Sequence, residues 1–194
     1  RWQNKMEVFE KLLDPELYAY FKNATFYENP VFHTAHKMVD FYIEFENVIP
    51  LEIYEQIITK LQLSLHAHVK LHMHAKNSVI EMDELDRYVN FFVEKYSDVK
   101  DFRFLHPYLE NDTICFSTRD ESRLAALNLA LPSLMEKLAD VGITQEIVCK
   151  KVEDDIEIET AKVQVSAPVV KQEPVKKQYP SSNSYKKESA TTYK

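Results

Sequence analysis

The stretch VDFYIEFENVIPLEIYEQIITKLQLSLHAHVKLHMHA, residues 39–75, changes its hydrophobic period twice, and that double change decides the fold. At its start Val39, Phe41, Ile43 and Phe45 alternate with Asp40, Tyr42, Glu44 and Glu46. Successive side chains of a strand point to opposite faces, so this period of two predicts a half-buried strand over residues 36–46. Pro50 then opens a helix, because proline is preset for a first helical turn, and Ile53, Ile57, Ile58 and Leu61 form its apolar face. From His66 the period returns to two: Ala67, Val69, Leu71, Met73 and Ala75 share one face, and His66, His68, Lys70, His72 and His74 share the other.

The flanks extend this strand, helix, strand frame. Upstream, Trp2, Met6, Phe9, Leu12 and Leu13 have helical spacing, and Asp14-Pro15 opens a second short helix through Leu17, Tyr20 and Phe21. Downstream, Ser78 and Glu81 have capping-box spacing ahead of a helix carrying Met82, Leu85, Val89, Phe92 and Tyr96 on one face. Residues 102–108 read as a third strand broken by Pro107, and residues 112–118 as a fourth. Thr118 and Glu121 form another capping box before Leu124, Leu127, Leu131, Leu134 and Leu138. An interior proline removes a hydrogen bond and clashes with the preceding turn, so Pro132 predicts a kink or a split near Leu131. A last strand over residues 143–152 completes an α+β domain, a mixed β-sheet with helices packed on one face.

Composition excludes more than it assigns. The chain has one glycine in 194 residues, Gly142. P-loops, dinucleotide fingerprints and nucleophile elbows need several, since only glycine takes positive φ freely and lets backbone approach a ligand. Gly142 instead follows Leu138-Ala139-Asp140-Val141, where a left-handed residue would end a helix. No apolar run is long enough for a membrane helix, and no signal peptide opens the sequence. Cys115 and Cys149 lack metal spacing, which suits a reduced, cytoplasmic protein. The start at Arg1 and the polar end at Lys194 read as a cut from something longer.

The globular part is expected over residues 1–152, because residues 153–194 hold no Phe, Leu, Met, Trp, Cys or Gly. Such a segment cannot bury enough surface to offset ordering entropy, so it reads as a disordered linker rich in Pro, Lys, Glu and Ser. Its lysines balance its carboxylates, which leaves the net charge of −7 on the globular part. That charge argues against duplex DNA, whose modules carry a basic stripe.

Four side chains offer metal chemistry: His66, His68, His72 and His74 project the same way, and imidazoles suit zinc, copper or nickel. An extended strand brings two ligands at most near one ion, so the simpler expectation is the solvent face of an amphipathic strand, with a partner-facing or acid-sensitive surface of His68, Lys70 and His72 as the alternative, and no metal. Phe102, Phe104 and Tyr108 form a candidate base-stacking platform. Asp83, Glu84 and Asp86 lie in a first helical turn, where negative charge suits the helix dipole. Asp154 and Asp155 open the tail. Ser117 or Cys115 would need a base such as His106 to act as a nucleophile. Neither carboxylate group comes with an apolar pocket or further ligands, so the residues predict no catalytic set.

Two stretches carry a family likeness: VDFYIEF (39–45) leading to IPLEIYEQI (49–57), and DTICFS (112–117) leading to LMEKLADVGI (134–143). Both resemble the N-terminal domain of PolC, the replicative DNA polymerase III alpha subunit of low-GC Gram-positive bacteria and mollicutes. The resemblance implies a noncatalytic accessory region without a cofactor, in a cytoplasmic, nucleoid-associated polymerase. Its palm, exonuclease and PHP domains would lie further along the parent chain, and the tail would lead toward an OB-fold. It further implies a KH-like fold, similar also to the polymerase-binding end of the clamp-loader tau subunit. A KH grip needs a GxxG loop that this chain lacks. The expected partner is therefore a replisome protein, tau included, or another domain of the parent, with weak single-stranded nucleic-acid binding as the alternative and a histidine metal module third.

Overall fold

The computed structural model describes residues 6–153. They form two compact units, one of residues 6–100 with Pro132–Gln145, the other of Asp101–Leu131 with residues 146–153. The linker expected over 153–194 lies almost wholly outside the described residues, as do Asp154 and Asp155. The fold class is α+β with mixed sheets and helices, as the hydrophobic periods imply; the strands divide over two sheets of three rather than sharing one.

In the first unit the order is α1 (Val8–Leu12), α2 (Pro15–Tyr18), β1 (Thr25–His33), β2 (Met38–Asn47), α3 (Leu51–Leu65), β3 (His68–Asn77) and α4 (Met82–Lys95). Strand β2 is central, antiparallel to β1 and parallel to β3. The apolar faces predicted for residues 39–45 and 69–73 are buried as read. Five phenylalanines knit α1 and the turn after α2 to this sheet. Phe9 lies 5.1 Å from Phe21, 5.9 Å from Phe26 and 5.2 Å from Phe41, and Phe21 lies 5.0 Å from Phe45. Each such ring contributes about 1.5–3 kcal/mol by leaving water.

Helix α4 begins at Met82 with Glu81 as its N-cap, and no side chain caps it, so the box expected of Ser78 does not form. Its Glu84 does the capping elsewhere: Leu51 N–H, an orphan donor in the first turn of α3, donates to Glu84 Oε2 at 2.8 Å. Tyr88 reaches back from α4 to donate to the Ile49 carbonyl at 2.5 Å.

Strand β1 carries no alternation of apolar and polar residues that would mark it as a strand. Its register with β2 shifts between Phe26 and Glu28 and again between Glu28 and Val31, so no clean period of two survives. Pro30 is tolerated because β1 is an edge strand, where one side of the backbone needs no ladder.

The second unit repeats the wiring with shorter pieces: β4 (Tyr108–Glu110), β5 (Thr113–Thr118) and, after α5 (Glu121–Ala139), β6 (Ile147–Lys151). Strand β5 is antiparallel to β4 and parallel to β6. Asn111 and Asp112 turn the hairpin with φ of 52° and 67°, the left-handed pair that matches strand twist. Residues 102–107, expected as strand, lie instead in a 3-10 segment ending at Phe102 and an irregular loop.

Helix α5 runs unbroken through Pro132, against the split expected there, and begins in one unit and ends in the other. Its N-cap is Asp120, whose Oδ1 accepts from Ser122 N–H at 3.1 Å, rather than Thr118. Its C-terminus ends as read, with Gly142 at φ 88°. Ile143 N–H donates to the Leu138 carbonyl at 2.9 Å and Gly142 N–H to the Ala139 carbonyl at 3.0 Å. This is a Schellman cap.

Candidate functional site

A polar cluster lies on the outer face of the first sheet, where period two turns Asp40 and Tyr42 of β2 and His72 and His74 of β3 away from the core. Parallel pairing sets Tyr42 opposite His72 and Glu44 opposite His74. A chain of four ionisable groups crosses this face. His33 Nε2, at the end of β1, is 2.8 Å from Asp40 Oδ2. His72 Nε2 is 2.8 Å from Asp40 Oδ1. The other nitrogen, His72 Nδ1, is 2.9 Å and 3.1 Å from the two oxygens of Asp140, in the turn after α5.

Carboxylates only accept and a neutral imidazole donates from one nitrogen, so an imidazole between two carboxylates makes both bonds only as the doubly protonated cation. The hydrogen bond to Asp140 raises the pKa of His72; partial burial opposes this, and the bond to Asp40 with both carboxylate charges adds to the rise. For Asp40, burial pulls the pKa upward, yet hydrogen bonds from His72 and His33 outweigh it and hold the pKa below the usual value. With both His72 nitrogens engaged, neither is free to take a proton from a substrate or to ligate a metal.

Rings cover the cluster. Tyr42 stacks on His72 with centroids 4.7 Å apart, and Tyr27 of β1 stacks on His74 at 3.7 Å. Tyr27 meets Tyr42 edge-on at 5.8 Å. Burial, then the charges of Asp140 and Glu28, push the Tyr27 phenol up to about 12.

The histidines named from the sequence part company here. His66 is not on the strand face; it takes φ 52° and ends α3 as a left-handed cap. His68 and Lys70 are exposed, and His74 is engaged with Tyr27. Among the described residues no three His, Cys, Asp or Glu side chains are grouped as a metal ion would need. The ladder's other members, His33, Asp40 and Asp140, were not singled out from the sequence. Asp40 was visible as the polar partner of a buried strand, but its neighbours come from segments 7 and 32 residues away, and Asp140 lies 68 residues from His72.

In the second unit the expected aromatic platform does not exist. Phe102 is fully buried against Phe116 at 5.0 Å, and Tyr108, 3% exposed, shares a hydrogen bond with Ser117. Both are core because their chain positions point inward, where rings pack best. Phe104 alone stands out, 81% exposed and held at φ 68°. Arg103 lies 5.8 Å from its ring centroid, and Arg123 donates to the carbonyls of Asp101 and Arg103 at 3.2 Å and 3.3 Å.

The proposed nucleophiles are otherwise occupied. Ser117 pairs with Tyr108, and burial pushes the Cys115 thiol up, away from the thiolate. Burial, with the neighbouring Cys115 charge adding to it, likewise lifts Cys149 to about 11.

Residues 6–74 match the family DNA polymerase III polC-type N-terminus I. This stretch of the chain is similar to a PolC-type N-terminus. The matched segment runs from α1 into β3 and includes His33, Asp40 and His72; α4, Asp140 and the second unit lie beyond it. The match supports a role in DNA replication for the PolC-type N-terminus. No curated protein and no solved structure matches the chain. Among the described residues no helix is long and apolar enough to cross a membrane.

Proposed function

We propose that this chain is a noncatalytic accessory domain of a PolC-type replicative polymerase, and that it docks a replisome protein. The family match supports the polymerase part. The docking part rests on Phe104. A non-glycine residue in the left-handed region sacrifices about 1–2 kcal/mol, and here that conformation holds an 81% exposed phenyl ring in solvent. Buried rings stabilise a fold; a ring held outward at a conformational cost fits an anchor for a partner's pocket. Arg123 ties the loop through the Asp101 and Arg103 carbonyls, so less ordering remains for binding to supply. The noncatalytic part draws support from His72, whose nitrogens are both engaged, and from the raised thiol of Cys115.

The polymerase-binding clamp-loader tau subunit is the partner to test first. In calorimetry with purified tau, the wild-type chain binds and Phe104→Gly weakens binding at least tenfold, while its melting temperature holds or rises because glycine accepts the left-handed backbone. Equal affinity for Phe104→Gly, or no binding by wild type, counts against this docking. A second reading uses the same residue: Phe104 with Arg103 stacks a base of single-stranded nucleic acid. The net charge of −7 opposes it. Binding of a fluorescein-labelled oligothymidylate that falls steeply with salt, and that Phe104→Gly abolishes, would favour that reading.

A further inference from the structure

We propose that His72 is a proton-operated latch that fastens the turn after α5, Asp140 to Ile143, onto β3. Three contacts hold this turn. Met73 N–H donates to the Asp140 carbonyl at 2.9 Å, and Met73 and Val141 form an isolated parallel bridge. Gly142 presses on β3 so closely that a Cβ there would stand 3.1 Å from Ala75 Cβ, which is where the chain spends its one glycine. The third contact is the bond between His72 Nδ1 and Asp140, and it alone depends on a proton.

Backbone bonds and packing are indifferent to pH in the neutral range, whereas the imidazolium is a keystone between two carboxylates. Without its charge Asp40 and Asp140 face a neutral ring, and one of its nitrogens presents a lone pair to a carboxylate oxygen. The other groups around it do not replace that charge. On β2, Tyr42 stacks on the ring and Glu44 is acidic; on β1, His33 is bonded to Asp40, and Tyr27 and Glu28 bring no cation. On β3 itself, Lys70 stands opposite Asp40 in the strand register but is exposed and forms no ion pair with it, and His74 is stacked on Tyr27. At the end of α5, Lys137 is bonded to Asp98 at 3.1 Å.

The sign follows from the raised pKa of His72. The latch is closed below the ordinary histidine pKa and opens as pH rises through the raised value; on the acid side the depressed pKa of Asp40 keeps its carboxylate charged below the usual carboxylate range. The device therefore opens on the alkaline side of the ordinary histidine pKa. Its output is local: opening frees the turn and the last residues of α5 without unfolding the sheet.

The test is backbone hydrogen exchange on the whole chain between pH 5.5 and 9, corrected for intrinsic exchange, with the side-chain nitrogens of His72 followed by NMR. Protection of the Met73 amide should fall about tenfold as His72 deprotonates, while Leu85, which donates to the N-cap Glu81 at the start of α4, keeps its protection. In His72→Gln and in Asp140→Asn the Met73 amide should be weakly protected and flat with pH. A Met73 amide whose protection is flat with pH in the wild type overturns the latch. So does a pH-dependent fall that survives in His72→Gln, or a His72 ring already neutral at pH 6. If a variant fails to fold, the wild-type exchange profile and the His72 nitrogen spectrum still decide the matter.

Discussion

The two sheets share one wiring, an antiparallel hairpin followed by a helix and a parallel third strand, yet they place their polar groups in opposite ways. The first sheet keeps an apolar inner face and arranges its polar contacts as ions on the outer face, His33 to Asp40 to His72 to Asp140. The second sheet is shorter; Lys150 of β6 pairs with Glu110 of β4 at its surface, while its buried contact is neutral, the hydroxyl of Tyr108 against that of Ser117. Connectivity thus sets which strands meet, and the residue at each register position sets what chemistry they share. The ladder of the first sheet answers to pH near the histidine range; the buried Tyr108–Ser117 contact of the second does not.

The cores should behave alike, and this is the largest effect. Phe41→Ala beneath the first sheet and Phe116→Ala in the second each remove a buried ring and should each destabilise by about 3–5 kcal/mol in urea unfolding. A cost near zero for either would break the claim that both sheets rest on comparable cores.

Next comes the ionic contact, where the sheets should differ. His72→Gln should cost about 1–3 kcal/mol at pH 6, and its difference from wild type should shrink as pH rises through the raised His72 pKa. Unfolding curves at pH 6, 7.5 and 9 would show it. A penalty that is constant with pH would remove the distinction between the two sheets.

Gly142→Ala probes the turn beside β3 without touching a charge. A Cβ would enter at 3.1 Å from Ala75 on a backbone at φ 88°, so a loss of about 1–2 kcal/mol is expected, with a pH profile still shaped by His72. Smallest is Tyr108→Phe, which strands the Ser117 hydroxyl in the core and should cost about 1 kcal/mol. Its penalty should not vary between pH 6 and 8, because neither hydroxyl titrates there, and adding Ser117→Ala should recover part of it.

Much of the fold was legible in residues 39–75, since a period of two or of about 3.6 is a property of neighbours in sequence. Val39 to Phe45 and Val69 to Met73 were each read onto the correct face. Strand β1 was not, because its bulges and Pro30 erase the alternation that marks a strand. Of the site, His72 was picked out along with His68 and His74, but as one of a row of equals. What separates it from them is a register: β2 lies parallel to β3 with Tyr42 opposite His72, and a turn 68 residues away brings Asp140 to its other side. Phe102, Phe104 and Tyr108 look equivalent in sequence, and only their placement shows that one is exposed and two are core.

The sequence by itself determined the class of fold, the exclusion of glycine-dependent phosphate and nucleophile motifs, and the left-handed helix end at Gly142. All three follow from local backbone and side-chain properties that need no partner. Tertiary structure alone decided that the strands form two sheets, that His72 is held between two carboxylates, and that Phe104 stands in solvent. Those depend on distances between residues far apart in the chain, and such distances are set by the packing of the whole unit.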